Sequence, residues 1–68
     1  MRPFAERLKE LRTERGLSIL TLGKAIAVSD ATICRWENGI SDIKSDQLIE
    51  LAKFFDISCD YLLGLSEE

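Results

Sequence analysis

The chain has 68 residues, of which 46% are hydrophobic and 31% are charged, and its formal net charge at pH 7 is −3. This composition is typical of one small globular domain and excludes a disordered chain. Because a domain of this size buries only about 60% of its unfolded surface, it has no room for a two-domain catalytic cleft.

The residue types that most often carry catalysis or hold metals are scarce. Histidine, the commonest general base and metal ligand, is absent. Cys34 and Cys59 lack the CxxC spacing of zinc ligands, and one disulfide between them is the alternative to two reduced thiols. We therefore expect no enzyme, no metal and no cofactor. Since the N-terminus shows no secretory signal and the longest apolar run is residues 25–28, we expect reduced thiols, no membrane span and a cytoplasmic location.

The charges are distributed unevenly along the chain. Residues 1–40 hold seven basic and five acidic residues, a balance of +2, whereas residues 41–68 hold two basic and seven acidic residues, a balance of −5. Such an asymmetry fits a front that faces a polyanion and an acidic back. The alternative is a set of solvated helix faces without such a role.

The first predicted helix begins near Pro3, a residue suited to the first helical turn. Apolar residues then recur at helical spacing, at Phe4, Leu8 and Leu11. Arg15 gives this helix a basic last turn, and the glycine after it ends the helix.

A second helix follows so closely that its packing is constrained. Ser18 caps it, and Leu22 and Ile26 share one of its faces. Only residues 27–29 separate it from the next helix, and a connection that short forces the steep crossing of a helix-turn-helix. Gly23 costs about 1 kcal/mol inside a helix, so we expect the two helices to approach closely there. The alternative is a tolerated surface glycine.

The third predicted helix is capped by Ser29 and runs to about Asn38, before a glycine stop. Ile33 and Trp36 point inward from it. We expect Trp36 to be a core anchor rather than a platform on which a base stacks.

Two more helices complete the chain. The fourth begins near residues 44–46 and carries an apolar stripe formed by Leu48, Leu51, Ala52 and Phe55. Ser58 caps a short fifth helix that ends before Gly64, and the last two glutamates are expected to fray. We therefore predict an all-α, five-helix bundle that forms a single domain over residues 1–68, with its core at about 4–64.

Short segments along the chain form a specific series. They lie at residues 11–12, 16–18, 22–24, 28–33, 35–39, 51–53, 57–58 and 60–64. The most specific is Ser-x-x-x-Ile-x-x-Trp-Glu-Asn-Gly over residues 29–39. In this order and without a gap, the series resembles the helix-turn-helix domain of the Cro/repressor-like, or xenobiotic-response-element, family. That family comprises the phage repressors, the Cro proteins and many bacterial regulators.

The resemblance implies a sequence-specific DNA-binding transcriptional regulator, a repressor, whose third helix lies in the major groove. The positions that match base-facing ones are Asp30, Ala31, Cys34 and Arg35. The Arg35 fork can bind O6 and N7 of guanine together, and the alternatives are a phosphate contact or a solvent-exposed arginine. Ala31 can offer its methyl group to thymine, or it can be present as a helix former. Asp30 can accept a hydrogen bond from N4 of cytosine, or it can stabilise the N-terminus of the helix, and we favour the second role.

Contacts with the DNA backbone are expected where helices begin. Free amides follow Ser18 and Ser29, and such amides bind phosphate. The resemblance places Thr32 and Asn38 at backbone-contacting positions. Lys44, the only basic residue of the loop before the fourth helix, is a further candidate.

The resemblance also pairs Arg12 of the first helix with Glu37 at the end of the third. Because Glu37 follows the expected anchor Trp36, we expect a partly buried salt bridge that fixes the third helix against the body. We also expect it to aim Arg12 toward the DNA backbone. The alternative is two independent surface charges.

The sequence departs from the family at four positions. The family usually has Gln where Ile19 stands and Glu where Thr21 stands, and that pair holds a phosphate and helps to cap the second helix. Ala27 replaces a frequent glycine, so we expect a strained, positive φ there. Asp42 places a negative charge near the path of the DNA. We therefore expect weaker phosphate anchoring.

Phe54, Ile40 and Leu65 exceed what a small core needs and suggest a partner surface. We expect a homodimer on a palindromic operator, with self-association through the C-terminal helix and Leu65. The alternative is a protein-interaction module of the same fold, antitoxin-like or an anti-regulator, with weak or no DNA binding. The acidic net charge and Ile19 favour this alternative.

Overall fold

The computed structural model describes residues 2–66, and within them it contains five α-helices and no strand. The helices are α1 (Arg2–Glu14), α2 (Ile19–Ile26), α3 (Asp30–Glu37), α4 (Ser45–Phe55) and α5 (Cys59–Leu62). The all-α, five-helix prediction is confirmed. The expected fraying of the last two glutamates falls outside the described residues. No helix in this part of the chain has the length and apolar character needed to cross a bilayer.

Three helices begin with the serine caps that the sequence predicts. The hydroxyl oxygens of Ser18, Ser29 and Ser58 each accept a hydrogen bond from the backbone N–H three residues further on, at 3.0–3.1 Å. Each serine has extended backbone angles, as an N-cap requires. The starts of α2, α3 and α5 are therefore each stabilised by a local hydrogen bond.

The core lies between the helices, and all five of them contribute to it. Its fully buried side chains come from every helix and are Phe4, Leu8, Leu22, Ile33, Trp36, Leu51, Phe55 and Leu62. Trp36 is 2% exposed, and its ring packs edge-on against Phe4 with the ring centroids 6.4 Å apart. The role of Trp36 as a core anchor is confirmed.

The turn between α2 and α3 depends on Gly23. A Cβ placed on Gly23 would lie 2.6 Å from the backbone oxygen of Val28, closer than a real Cβ atom comes to such a neighbour. The close approach predicted from this glycine is confirmed. Ala27 ends α2 in the left-handed region, with φ 59° and ψ 44°, so its expected positive φ is also confirmed. An L-residue pays about 1–2 kcal/mol for that conformation.

The apolar side chains outside the core differ in part from those expected. Ile40 and Leu65 are 72% and 75% exposed, but Phe54 is half-buried and packs edge-on against the ring of Phe55 at 5.1 Å. The expectation that Phe54 is surplus is therefore wrong. Two other large hydrophobic residues, Leu20 and Ile49, are exposed and were not expected from the sequence.

Candidate nucleic-acid interface

Helix α3 has an inner and an outer side. Ile33 and Trp36 are buried on the inner side, whereas Ala31, Cys34 and Arg35 are exposed. Because residues three and four apart share a helix face, Ala31, Cys34 and Arg35 form one outer stripe. Asp30 is also exposed and lies four residues before Cys34, so all four residues expected to face bases lie on this side of α3. Cys34 carries a free thiol there, and the half-buried Cys59 is also free.

The fourth expected residue, Asp30, serves its own helix. Its carboxylate oxygen accepts a hydrogen bond from the Ala31 backbone N–H at 2.9 Å. A carboxylate in the first turn also interacts favourably with the helix dipole. This geometry agrees with the helix-end role favoured from the sequence rather than with a contact to cytosine.

The N-termini of α2 and α3, the two expected phosphate-binding sites, have the same arrangement of hydroxyl groups. The Ser18 hydroxyl donates to Thr21 Oγ1 at 2.8 Å, and the hydroxyls of Ser29 and Thr32 lie at the same distance. These hydroxyls are therefore tied to their own helices, and it is the remaining first-turn amides that can meet a phosphate. At α3 the Asp30 carboxylate already accepts a hydrogen bond from one of those amides, the N–H of Ala31. The start of α2 is therefore the more open of the two ends.

The last two expected backbone contacts are exposed, but one of them has a second role. The Asn38 side-chain nitrogen donates to the backbone oxygen of Cys34 at 2.7 Å and lies 3.4 Å from its sulfur. Asn38 thus caps the end of α3. Lys44 immediately precedes α4, and its backbone N–H donates to the side-chain oxygen of Gln47 at 3.3 Å. Its ammonium group lies on an exposed residue.

Several arginines of α1 and of the turn after it make contacts with other residues of the protein. The Arg7 guanidinium lies 4.1 Å from the centre of the Tyr61 ring. Arg15 donates through Nη2 to the backbone oxygen of Phe55 at 2.7 Å, at the end of α4. Arg7, Arg12 and Arg15 thus make intramolecular contacts. These contacts hold the three side chains in place without changing the balance of +2, because the ion-paired glutamates are already counted in that balance and a ring or a carbonyl carries no net charge.

The ion pair between Arg12 and Glu37 forms and is extensive. Arg12 Nε and Nη2 donate to the two Glu37 oxygens at 2.7 and 3.0 Å, and the side chains are 12% and 6% exposed. Arg12 Nη1 donates to the backbone oxygen of Leu17 at 2.8 Å. Each of the three guanidinium nitrogens donates one of these hydrogen bonds, and the expectation that Arg12 also points toward the DNA backbone stays a prediction. Hydrogen bonding to Glu37 raises the pKa of Arg12 above its ordinary value.

Residues 8–62 match the family model described as "Helix-turn-helix". The chain belongs to this family, the helix-turn-helix domains of the Cro/C1 type. It is 34% identical over 64 residues to the transcriptional activator BcrR of Enterococcus faecalis, covering 94% of this chain and 31% of that protein. It is 33% identical over 60 residues to repressor protein C2 of Salmonella phage P22, covering 88% of this chain and 28% of that protein.

Solved structures agree with this family. The chain is similar to the P22 c2 repressor crystallised in complex with a synthetic operator, with a TM-score of 0.86 and 30% identity over 93% of this chain and 96% of that one. It is also similar to the restriction-modification controller protein C.AhdI of Aeromonas hydrophila, with a TM-score of 0.82 and 31% identity over 90% and 92% of the two chains. The chain spans between 28% and 58% of the length of the curated relatives it matches.

Proposed function

We propose that this helix-turn-helix domain is a sequence-specific transcriptional regulator that binds double-stranded DNA with α3 in the major groove. The observation that carries the proposal is the two-sided build of α3, which buries Ile33 and Trp36 and leaves Ala31, Cys34 and Arg35 exposed. The major groove admits an α-helix and presents a distinct donor and acceptor pattern at each base pair. The likeness to a repressor crystallised with an operator supports this placement.

Within this proposal, the outer stripe of α3 reads the bases. Arg35 binds O6 and N7 of a guanine, because its planar fork matches that pair of acceptors. Ala31 and Cys34 lie beside it and present small, weakly polar groups to neighbouring bases. Asp30 strengthens the start of α3 and reads no base.

The DNA backbone is held mainly by helix ends. The first-turn amides after Ser18 bind one phosphate, and those after Ser29 bind a second one less strongly, because Asp30 competes for them. Thr32 and Lys44 add contacts from exposed or half-buried positions, and Asn38 contributes chiefly by capping α3. Phosphate contacts of this kind set the register on the duplex, while α3 sets the sequence.

We further propose that the active species is a homodimer that represses transcription by occupying a palindromic operator. One recognition helix reads only a few base pairs, whereas two helices about 34 Å apart, one turn of DNA, double the site. The exposed Ile40 and Leu65 supply apolar surface for association. Sedimentation combined with footprinting tests this, and a monomer that protects an asymmetric half-site would contradict it. The proposal involves no catalysis and no cofactor, and it places the protein in the cytoplasm.

Selection from a randomised duplex pool at two salt concentrations tests the DNA-binding proposal. We expect a recovered palindrome and an affinity that falls steeply with salt, because bound phosphates release counterions. The Arg35→Ala variant is the matched control and should lose enrichment at one G·C pair per half-site. If no sequence is enriched at either salt concentration, the proposal is wrong.

A protein-interaction module of the same fold is the second candidate. The observations that favour it are the net charge of −3 and the contacts that hold Arg7, Arg12 and Arg15 to other residues of the protein, because side chains held in this way are less free to reach a phosphate. The exposed Leu20 and Ile49 enlarge the apolar surface that a protein partner could cover. A pool selection without enrichment would leave this candidate as the better account.

A further inference from the structure

Asp30 and Arg35 are the two charged residues on the side of α3 that faces the bases in the proposed complex. Asp30 is exposed, is the first residue of α3 and lies one helical turn before Cys34. The side of the helix that meets the major groove therefore carries a negative charge as well as a positive one.

The two oxygens of the Asp30 carboxylate have different surroundings. Oδ1 accepts a hydrogen bond from the Ala31 backbone N–H at 2.9 Å. In the described part of the chain, the other oxygen has no hydrogen-bond or ion-pair partner. One oxygen therefore anchors the side chain to α3, while the second remains available to a group that approaches the helix.

The chemistry of the second oxygen separates the four bases into two pairs. An ionised carboxylate offers hydrogen-bond acceptors and no donor. In the major groove, guanine and thymine present acceptors only, whereas adenine and cytosine each present an amino group that donates. An acceptor that is placed against another acceptor loses its water without gaining a hydrogen bond, which lowers affinity. A carboxylate held beside a base edge therefore disfavours guanine and thymine, the keto bases, relative to adenine and cytosine, the amino bases.

We propose that Asp30 is a specificity-determining residue that excludes keto bases from one position of each half-site. This inference rests on the proposed function, because it requires α3 in the major groove. Asp30 forms no bond with a base in this account and selects by exclusion alone. Its hydrogen bond at the start of α3 is retained, since that bond uses only one of its two oxygens.

The spacing along α3 locates the excluded position relative to the guanine that Arg35 binds. Asp30 and Arg35 are five residues apart in the sequence, which corresponds to about 7.5 Å along the axis of an α-helix. Successive base pairs are stacked about 3.4 Å apart. We therefore expect the position that Asp30 controls about two base pairs from that guanine.

The variant Asp30→Asn tests the inference because it exchanges the outward-facing atom and keeps the shape of the side chain. The asparagine oxygen can still accept from the Ala31 N–H, and the second polar atom is then an amide nitrogen, which donates. In the wild type, duplexes with a keto base at this position should bind roughly tenfold more weakly than those with an amino base. In Asp30→Asn this order should be reversed, with guanine or thymine now preferred.

The variant Asp60→Asn is the matched control. It removes the same charge from an exposed position in the first turn of α5, and it should leave the base preference unchanged at every position. Circular dichroism shows whether both variants are folded. If Asp30→Asn raises the affinity for all duplexes by the same factor, the carboxylate acts through its charge alone and the inference is wrong.

Selection from the randomised pool with the wild-type protein separates this inference from the proposed function. A recovered palindrome with adenine and cytosine enriched about two base pairs from the guanine supports both of them. A palindrome in which all four bases are equally frequent near that position would overturn the inference and leave the proposed function standing. A pool without any enriched sequence would overturn both.

Discussion

The inner and outer sides of α3 differ in burial, and we expect them to differ in what they contribute. Inside, Ile33 and Trp36 are buried in a core to which all five helices contribute. Outside, Ala31, Cys34 and Arg35 are exposed. Substitutions inside should therefore change folding stability and carry DNA binding with it, whereas substitutions outside should change DNA binding alone. A small domain can vary the sequence it reads because these two sides are energetically separate.

The largest effect is expected from breaking the inner ion pair. Arg12→Met leaves the Glu37 carboxylate, 6% exposed, without its partner, and should lower the free energy of unfolding by about 3–5 kcal/mol. Glu37→Gln should also destabilise, and the double variant should lose less than either single one. Urea unfolding of the four proteins in a double-mutant cycle measures the coupling. Losses that add within about 0.5 kcal/mol would mean that the two side chains do not interact.

A smaller loss of stability is expected where α2 meets α3. Gly23→Ala places a methyl group 2.6 Å from the Val28 backbone oxygen, so it should destabilise by about 1–3 kcal/mol although alanine favours helices. Ala25→Gly, at an exposed position of the same helix, is the control and should cost about 1 kcal/mol. A Gly23→Ala variant as stable as the wild type would show that the crossing tolerates a wider spacing.

The outer side is tested by Arg35→Ala. We expect specific binding to weaken by about 1–3 kcal/mol, with relaxed preference at one G·C pair, because a bidentate contact is lost. The midpoint of urea unfolding should hardly move, since Arg35 is exposed. Uniform weakening on all sequences with a shallower salt dependence would make Arg35 a phosphate contact instead.

The smallest expected effect is a gain in folding stability, in the variant Ala27→Gly. Ala27 holds φ 59° at the end of α2, and Ala27→Gly removes the left-handed strain while adding some flexibility to the unfolded chain. We expect thermal unfolding to report a stabilisation of about 0.5–1 kcal/mol. DNA affinity should not change, because the backbone already has the conformation that glycine prefers. A loss of stability would mean that the positive φ of Ala27 is not a source of strain.

The local features of the fold could be predicted from the sequence. Serine caps, the left-handed Ala27 and the close approach at Gly23 each depend on a few neighbouring residues, so their signals are short-range. The pairing of Arg12 with Glu37 came from the family resemblance, because no local pattern joins residues 25 positions apart.

The contacts that charged side chains make with residues far away in the sequence could not be predicted. The contact of Arg15 with the Phe55 backbone oxygen joins residues 40 positions apart and depends on how α1 and α4 end beside each other. Phe54 also looked surplus from the sequence, because only the packing of the helices shows that it lies half-buried against the core. Composition gave the number of basic residues, but only tertiary structure shows which of them are free to meet DNA.

The most direct test of the central claim is a titration of the isotopically labelled protein with the selected duplex, followed by the backbone amide resonances. We expect the shifts to concentrate on the outer stripe of α3, at residues 31, 34 and 35, and on the start of α2 after Ser18. Amides of α4 and α5 that lie away from these segments should stay in place. Shifts concentrated on α4 and α5, with α3 unchanged, would contradict the claim that the outer side of α3 reads DNA.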